Sequence, residues 1–554
     1  MGSETNHQTT HQTNQWALAD VFDVVSDAVA DRTAIVWRDH RQTFGETRAR
    51  ADALAAFLGA RGFGDDRTTP ATPRWECAQD TVALLLHNRP EHLEALLGCW
   101  RARVVPFNVN YRYTAPEVAG LLRAMRARAV IYERGFGDKL RDVAPLLDLC
   151  LEIDDAAPER SIPGAIAFEA AISAGSPTGG LTVAGPDDRY LACTGGTTGR
   201  PKGVLWRQGD IFVAAMSGAD GMTAGDVRER AVTGAGVWFP TSPLMHVAAQ
   251  WTAMVAVNQG ATVIFHDDSQ PFDMPTILET AARERVNAMT IVGDAFARPM
   301  VERLRRHDLD LSALRMIGTG GAPTSIELKR AIQEHLPDVM IRDGYGATEI
   351  GAAAFGTLPG RGEDLQRFEP GPDLRVVSED RTRFLAAGDD EVGWLARCTH
   401  VPLGYLDDPE ATEALFPIVE GVRAAVPGDR ARMEPDGRFV LLGRDSLVVN
   451  TGGEKVFVEE VEDALKQCDG VADVIVVGRS EPRFGQEVVA IVALEPGCTP
   501  DPQGLRDGCS ERIARYKAPR AFLFVERIQR HASGKADYRW AQERSPDAVA
   551  VTVA

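Results

Sequence analysis

The sequence predicts an α/β fold: a large N-terminal domain of α/β subdomains, then a small α+β C-terminal domain. Three observations carry this. The chain has 554 residues, and hydrophobic cores stop growing at roughly 250–300 residues, so more than one domain is required. Helical-period segments alternate with short apolar runs, the signature of largely parallel strands. After Gly443 the alternation changes character, and residues 444–554 show their own helix-strand-strand-helix order.

In chain order, Met1 to Gln15 is polar and lacks an apolar stretch, so residues 1–15 are expected to be a disordered tail and not a secretory signal. Helices are expected over Arg48–Gly59 and Pro90–Trp100, with strands at Arg103–Phe107 and Ala129–Tyr132. The pattern returns at Thr262–Phe265, Ala288–Val292 and Leu314–Ile317. Gly64–Arg74 and Ser173–Arg189, rich in Gly, Pro, Asp, Thr and Ser, are expected as loops. The apolar run Phe439–Leu442 closes the first domain, expected over 16–443. The second domain should hold a helix at Val458–Gln467, strands at Val471–Val477 and Val488–Leu494, and a helix at Gln503–Arg515.

Composition excludes several classes. A hydrophobic fraction of 44% and a charged fraction of 25% are those of a folded soluble protein. The net charge of −19 disfavours nucleic acid and anionic membrane, both polyanions. The eight cysteines form no CxxC pair, which argues against a zinc site or a disulfide framework and for a reducing cytoplasm. No run approaches the ~20 apolar residues of a membrane-spanning helix. The expectation is a cytoplasmic protein with no integral membrane segment and a small-molecule substrate; a homodimer is compatible with it.

The most informative segment is Thr194-Gly195-Gly196-Thr197-Thr198-Gly199-Arg200-Pro201-Lys202-Gly203. Its glycines let several backbone N–H groups converge, and two hydroxyls and a lysine add donors suited to polyphosphate. It is not a Walker A loop, because Pro201 precedes the lysine and Gly203 follows it.

This decapeptide resembles the phosphate loop of the adenylate-forming superfamily, which holds acyl-CoA synthetases, peptide-synthetase adenylation domains and luciferases. Further matches follow in that family's order: Ser242 to His246, Gly320-Gly321-Ala322-Pro323, Asp343-Gly344-Tyr345-Gly346-Ala347-Thr348-Glu349, Gly443-Arg444, and Ser533-Gly534-Lys535. The resemblance runs from about Leu18 to about Trp540. It implies an ATP-dependent ligase that makes an acyl-adenylate and passes the acyl group to coenzyme A, with ATP, Mg²⁺ and coenzyme A as cofactors and cosubstrates.

It also implies site residues. Thr197, Thr198 and Lys202 would touch the ATP phosphates, supported by Thr194 and the loop glycines Gly195, Gly196 and Gly199. Gly321, Ala322, Pro323, Asp343, Gly344 and Gly346 would frame the nucleotide, and Tyr345 would stack on adenine. Thr348 would contact phosphate, and Glu349 would hold Mg²⁺, which takes one or two carboxylates plus phosphate oxygens. Asp429 and Arg444 would bind the ribose. Lys535 would sit between the acyl carboxylate and the α-phosphate, offsetting their repulsion, which requires a mobile C-terminal domain that folds over the first. The pivot would fall at Asp445 or Ser446. Gly452, Gly453 and Glu454 would enter the thioester-forming arrangement.

For the acyl pocket the family points to His246, Ala248, Ala249, Gly293, Ala295 and Gly320. Small residues there, with no Lys or Arg standing out to pair a second carboxylate, favour a medium-chain, long-chain or bulky apolar acid. Trp206-Arg207 and Gly293 to Pro299 resemble bacterial fatty-acid and steroid-side-chain CoA ligases. The competing expectations are an enzyme loading a carrier-protein phosphopantetheine and an inactive nucleotide-binding regulator.

Overall fold

The computed structural model describes residues 16–158, 162–175, 183–194, 202–321, 324, 326–358, 367–371, 373–444, 448–529 and 537–551. Among them, five parallel strands form one sheet in the order Val105–Asn108, Thr81–Leu85, Ala127–Glu133, Leu149–Ile153, Ile166–Ala167. Thr81–Leu85 and Leu149–Ile153 are buried along their whole length, as parallel strands covered on both faces must be. Helix Pro90–Arg101 packs against this sheet, and helix Phe44–Gly59 packs on that helix. The latter begins with a capping box in which Thr43 and Glu46 satisfy each other's backbone N–H groups.

A second, thirteen-stranded sheet has a parallel centre: Val237–Pro240, Ala288–Ile291, Met316–Thr319 and Met340–Ala347. Beyond Met340–Ala347 the strands turn antiparallel, passing through Phe439–Arg444 paired to Asp429–Met433 and ending on Leu374–Val377. Gly64–Arg74 carries no helix or strand, while the expected loop from Ser173 gives its first two residues to helix Phe168–Ala174.

After Arg444 the next described strand, Val448–Thr451, belongs to a separate sheet, which also contains Glu454–Phe457, Val471–Glu481, Gly485–Leu494, Ala521–Val525 and Val549–Ala550. The strands Val471–Glu481 and Gly485–Leu494 are longer than their apolar runs, since the ladder continues through Gly478↔Val488 to Glu481↔Gly485. Backbone pairing does not require apolar side chains, so hydrophobicity alone ends such strands too early. The helix expected to Arg515 stops at Ser510.

Candidate functional site

The expected phosphate loop lies between antiparallel strands Arg189–Thr194 and Lys202–Arg207, with Thr194 opposite Lys202. Lys202 thus opens a strand instead of closing a loop. Gly195, Gly196, Thr197, Thr198 and Gly199 lie outside the described residues. The Lys202 ammonium stands 4.7 Å from the centre of the Tyr405 ring. The Tyr405 hydroxyl in turn donates to Glu349 Oε1 at 2.9 Å. Thr348 is buried, and its carbonyl accepts from the buried Trp206 indole at 3.1 Å. Strand Lys202–Arg207 is thereby tied to the Thr348-Glu349 turn, and Tyr405 links the Lys202 ammonium to the Glu349 carboxylate.

The carboxyl ends of parallel strands, where open α/β sheets bind ligands, bring Gly320, Gly321, Gly344 and Tyr345 together along one cavity. A Cβ on Gly320 would stand 3.1 Å from the Gly344 carbonyl oxygen, so the two strand ends approach over bare backbone. Gly321 has φ +76, a left-handed conformation suited to glycine. The Tyr345 hydroxyl donates to Asp429 Oδ2 at 2.6 Å, and Asp429 sits opposite Arg444 in the backbone ladder. Asp343 is buried, with Lys329 Nζ on Oδ2 at 2.5 Å and the Thr319 hydroxyl on Oδ1. Its carboxylate thereby ties strand Met340–Ala347 to strand Met316–Thr319 and helix Ile326–His335. Ala322 and Pro323 lie outside the described residues.

The cavity measures about 1680 Å³, more than the ~300–1,000 Å³ of an ordinary ligand pocket. Helix Val247–Asn258 contributes Val247, Ala248, Trp251, Thr252 and Val255 to its wall, followed by Gln259 just past the helix end. His246, Ala295, Gly318, Gly320 and Met316 also line it. Two expected pocket residues stand elsewhere. Ala249 is buried in the hydrophobic core, because successive helical residues differ by about 100° in direction, and Ala248 takes the cavity side. Gly293, at φ +60, opens helix Gly293–Leu304, and Ala295 and Phe296 face the cavity instead. The expectation that no Lys or Arg stands out to pair a second carboxylate also changes: Arg298, Arg342 and Arg381 line the cavity, and Arg342, one pleat beyond Gly344 on the same strand face, is stacked 4.3 Å over Phe355.

The C-terminal domain closes the cavity with the hairpin Val448–Thr451/Glu454–Phe457. Gly452 and Gly453, at φ +59 and +85, form its two-residue turn, a geometry that needs positive φ twice. A Cβ on Gly453 would lie 3.2 Å from Val292 of the first domain. Replacing Gly453 by Ala is therefore expected to cost the docked hairpin about 1–2 kcal/mol, measured as slower thioester formation with unchanged adenylation.

Glu454 is buried and faces His246 Nε2 at 3.4 Å and the Arg112 guanidinium. Burial raises its carboxyl, but His246 and Arg112 outweigh that and hold it below the usual range. Arg112 had no signal in the sequence beyond its type. Lys517 is buried between Glu117 at 3.0 Å and Glu460 at 2.6 Å. Lys535, Asp445 and Ser446 lie outside the described residues, and the Arg444 side chain is likewise undescribed. Gln529 and Asp537, which flank the Lys535 segment, join through a backbone hydrogen bond at 3.2 Å, and neither lines the cleft.

The strand ends that carry Gly320, Gly321, Gly344 and Tyr345 thus open on one cavity that the small C-terminal domain caps. The AMP-binding enzyme family matches residues 22–396, and the AMP-binding enzyme C-terminal domain matches residues 460–535. The chain belongs to the AMP-binding enzyme family, in its acyl-CoA synthetase branch. It is 40% identical to the medium-chain acyl-CoA ligase Mig of Mycobacterium avium, over 96% of this chain and 99% of that protein. It is 34% identical to a 3-oxocholest-4-en-26-oate--CoA ligase of Rhodococcus rhodochrous, over 95% and 96% of the two chains. The amide bond synthetase McbA of Marinactinospora thermotolerans shares the fold with a TM-score of 0.76 at 22% identity, covering 94% of this chain and 99% of that one.

Proposed function

We propose that the protein joins a medium-chain, long-chain or bulky apolar carboxylic acid to coenzyme A, with ATP converted to AMP and pyrophosphate. The observation that carries this reading is one continuous cavity running from the nucleotide edge at Gly320, Gly344 and Tyr345, past His246, to the Gly452–Glu454 hairpin. The relatives named above, ligases of a medium-chain acyl group and a steroid side-chain acid, support the acid class.

In the first half-reaction the acid carboxylate attacks the α-phosphorus, the bond to the β-phosphate oxygen breaks, and pyrophosphate leaves. Lys202 and the Thr194 loop hold the phosphates, Asp429 takes ribose hydroxyls, and Lys535 offsets the two approaching anions. In the second, the coenzyme A thiolate attacks the acyl carbonyl and AMP leaves. The Gly452-Gly453 turn leaves room for the pantetheine arm, and His246 with Glu454 borders the entry to the acyl group.

The described residues contain no group of three or more His, Cys, Asp or Glu able to hold a metal ion, which suits Mg²⁺ carried on nucleotide phosphates with one protein carboxylate. Glu349 fits that role, since its Oε1 accepts from a neutral tyrosine hydroxyl. When bound, Mg²⁺ would neutralise charge on the phosphates. Replacing Glu349 with Gln is expected to raise the Mg²⁺ concentration needed for half-maximal adenylation about tenfold or more; an unchanged metal titration would remove Glu349 from the ligand set.

The function is tested by incubating the protein with ATP, Mg²⁺, coenzyme A and a graded panel of acids. Acyl-CoA, AMP and pyrophosphate are expected in equal amounts. Acyl-adenylate without thioester would transfer the enzyme to carrier-protein loading.

A further inference from the structure

Lys202, Glu349 and Tyr405 line the cavity together but come from three separate elements. Strand Gly404–Tyr405 runs antiparallel beside strand Lys202–Arg207, with Tyr405 opposite Val204. Residues 202 and 204 share one face of their strand, so Tyr405 is the diagonal cross-strand neighbour of Lys202. The Lys202 ammonium stands over the ring at 4.7 Å from its centre, and the hydroxyl donates to Glu349 Oε1 at 2.9 Å. The π face and the hydroxyl of a phenol point at right angles, so cation and carboxylate meet one side chain from different directions. Among the described residues no ion pair joins Lys202 to Glu349.

The tyrosine sits on a rigid frame. It is 7% exposed. Its backbone N–H donates to the hydroxyl of the buried Thr412 at 2.9 Å, and that hydroxyl donates to the Asp408 carbonyl at 2.7 Å. On either side, the N–H groups of Leu403 and Leu406 donate to the carbonyls of Leu205 and Gly203 at 2.7 and 2.8 Å. A Cβ on Gly404 would stand 2.6 Å from Thr412, so glycine is what lets helix Pro409–Leu415 close on the strand. Phe416, just past that helix, meets the Tyr405 ring edge-on at 6.5 Å between centres.

A lysine and a glutamate free to touch would pair, and the pair would have to break before the ammonium met phosphate or the carboxylate met a metal. A neutral phenol between them removes that step. The cation takes its π face. The carboxylate, which offers about four lone-pair sites, gives up one of them to the hydroxyl. Both charges then stand preorganised for the ligand. We infer that Tyr405 is a positioning residue of the adenylation half-reaction: it keeps Lys202 and Glu349 from pairing with each other, and aims one at the ATP phosphates and the other at the Mg²⁺ they carry. This rests on the ligase reading and adds a residue to it.

The test measures equilibrium binding of ATP to the full chain by calorimetry, once with EDTA and once with Mg²⁺. The native protein should bind ATP in both conditions, more tightly with Mg²⁺. Tyr405→Phe keeps the ring for Lys202 and its packing on Phe416, and removes only the hydroxyl. Its metal-free affinity should stay within about twofold of native, while the tightening by Mg²⁺ falls about tenfold, the usual cost of losing an outer partner of a metal ligand. Tyr405→Leu, or Tyr405→Met should leucine not fold, should lose the same tightening and also about fivefold in metal-free affinity, as Lys202 collapses onto Glu349. Tightening unmoved in Tyr405→Phe overturns the assignment, as does an aliphatic variant whose metal-free affinity matches that of Tyr405→Phe. Equal losses with and without metal in Tyr405→Phe would make the tyrosine a packing residue only, and overturn it too. Native protein that binds no ATP in either condition is a different result, and overturns the ligase reading together with this inference.

Discussion

Replacing Lys535 with Ala is expected to lower adenylation at least 10²- to 10³-fold, the loss typical of removing one preorganised electrostatic donor, while thioester formation from supplied acyl-adenylate stays within a few-fold of native. The asymmetry follows from when the charge is needed. The first half-reaction brings a carboxylate against a polyphosphate and builds negative charge around the phosphorus. The second brings a thiolate to a neutral acyl carbonyl, where an ammonium between carboxylate and phosphate has no task. The C-terminal face turned to the cleft consists of Gly452–Phe457, Glu481–Phe484 and Tyr516-Lys517, whereas Gln529 and Asp537 lie off it. The proposed role of Lys535 calls for the small domain to present different faces in the two half-reactions, a gating motion of the kind that often limits turnover. Pyrophosphate release measures the first step, and thioester yield from synthetic acyl-adenylate measures the second. Equal loss in both would contradict a lysine that works in one orientation only.

The architecture was readable because it rests on short-range pattern. Apolar runs such as Ala288–Val292 mark strands whichever partner they pair with, and the helices around Arg48–Gly59 and Pro90–Trp100 were visible from their periodicity. The observed helices are Phe44–Gly59 and Pro90–Arg101. Where its motifs are contiguous, as in Gly344 to Glu349, the residues named from the sequence line one cavity. What escaped was of two kinds. Tyr405, Arg112, Glu117 and Lys517 act through partners distant in sequence: Tyr405 meets Glu349 and Lys202, and Lys517 meets Glu117. No local spacing announces such contacts. The second kind was a matter of phase. Ala248 and Ala249 are alike in composition, and a single helical step separates cavity from core. Arg342 could have been found, since strand alternation places residues 342 and 344 on one face, and Gly344 was already assigned to the nucleotide edge.

Lys517→Met is expected to slow thioester formation roughly ten- to a hundredfold and leave adenylation largely intact. Lys517 is buried against Glu117 at 3.0 Å and Glu460 at 2.6 Å, with its ammonium 4.6 Å from the Tyr113 ring centre. Burial pushes the Glu460 carboxyl up while Lys517 pulls it down. Glu117 belongs to the first domain, where its Oε2 accepts from the Thr114 backbone N–H and hydroxyl. Its other oxygen receives Lys517 and the Ala514 N–H, so one carboxylate caps a helix and anchors the small domain. Removing one partner of a buried pair costs about 3–5 kcal/mol, because the remaining charge stays uncompensated. Part of that falls on the small domain itself through Glu460, which travels with Lys517 in any orientation. The part carried by Glu117 exists only while the Gly452 hairpin is in the cleft, and at 1.4 kcal/mol per tenfold even half of it shifts the docking equilibrium by the stated factor. Glu117→Gln should slow the same step, and the double variant should lose less than the sum of the two because both remove one contact. Were both half-reactions to fall together in Lys517→Met, the lysine would be acting on the stability of the small domain and not on where that domain sits.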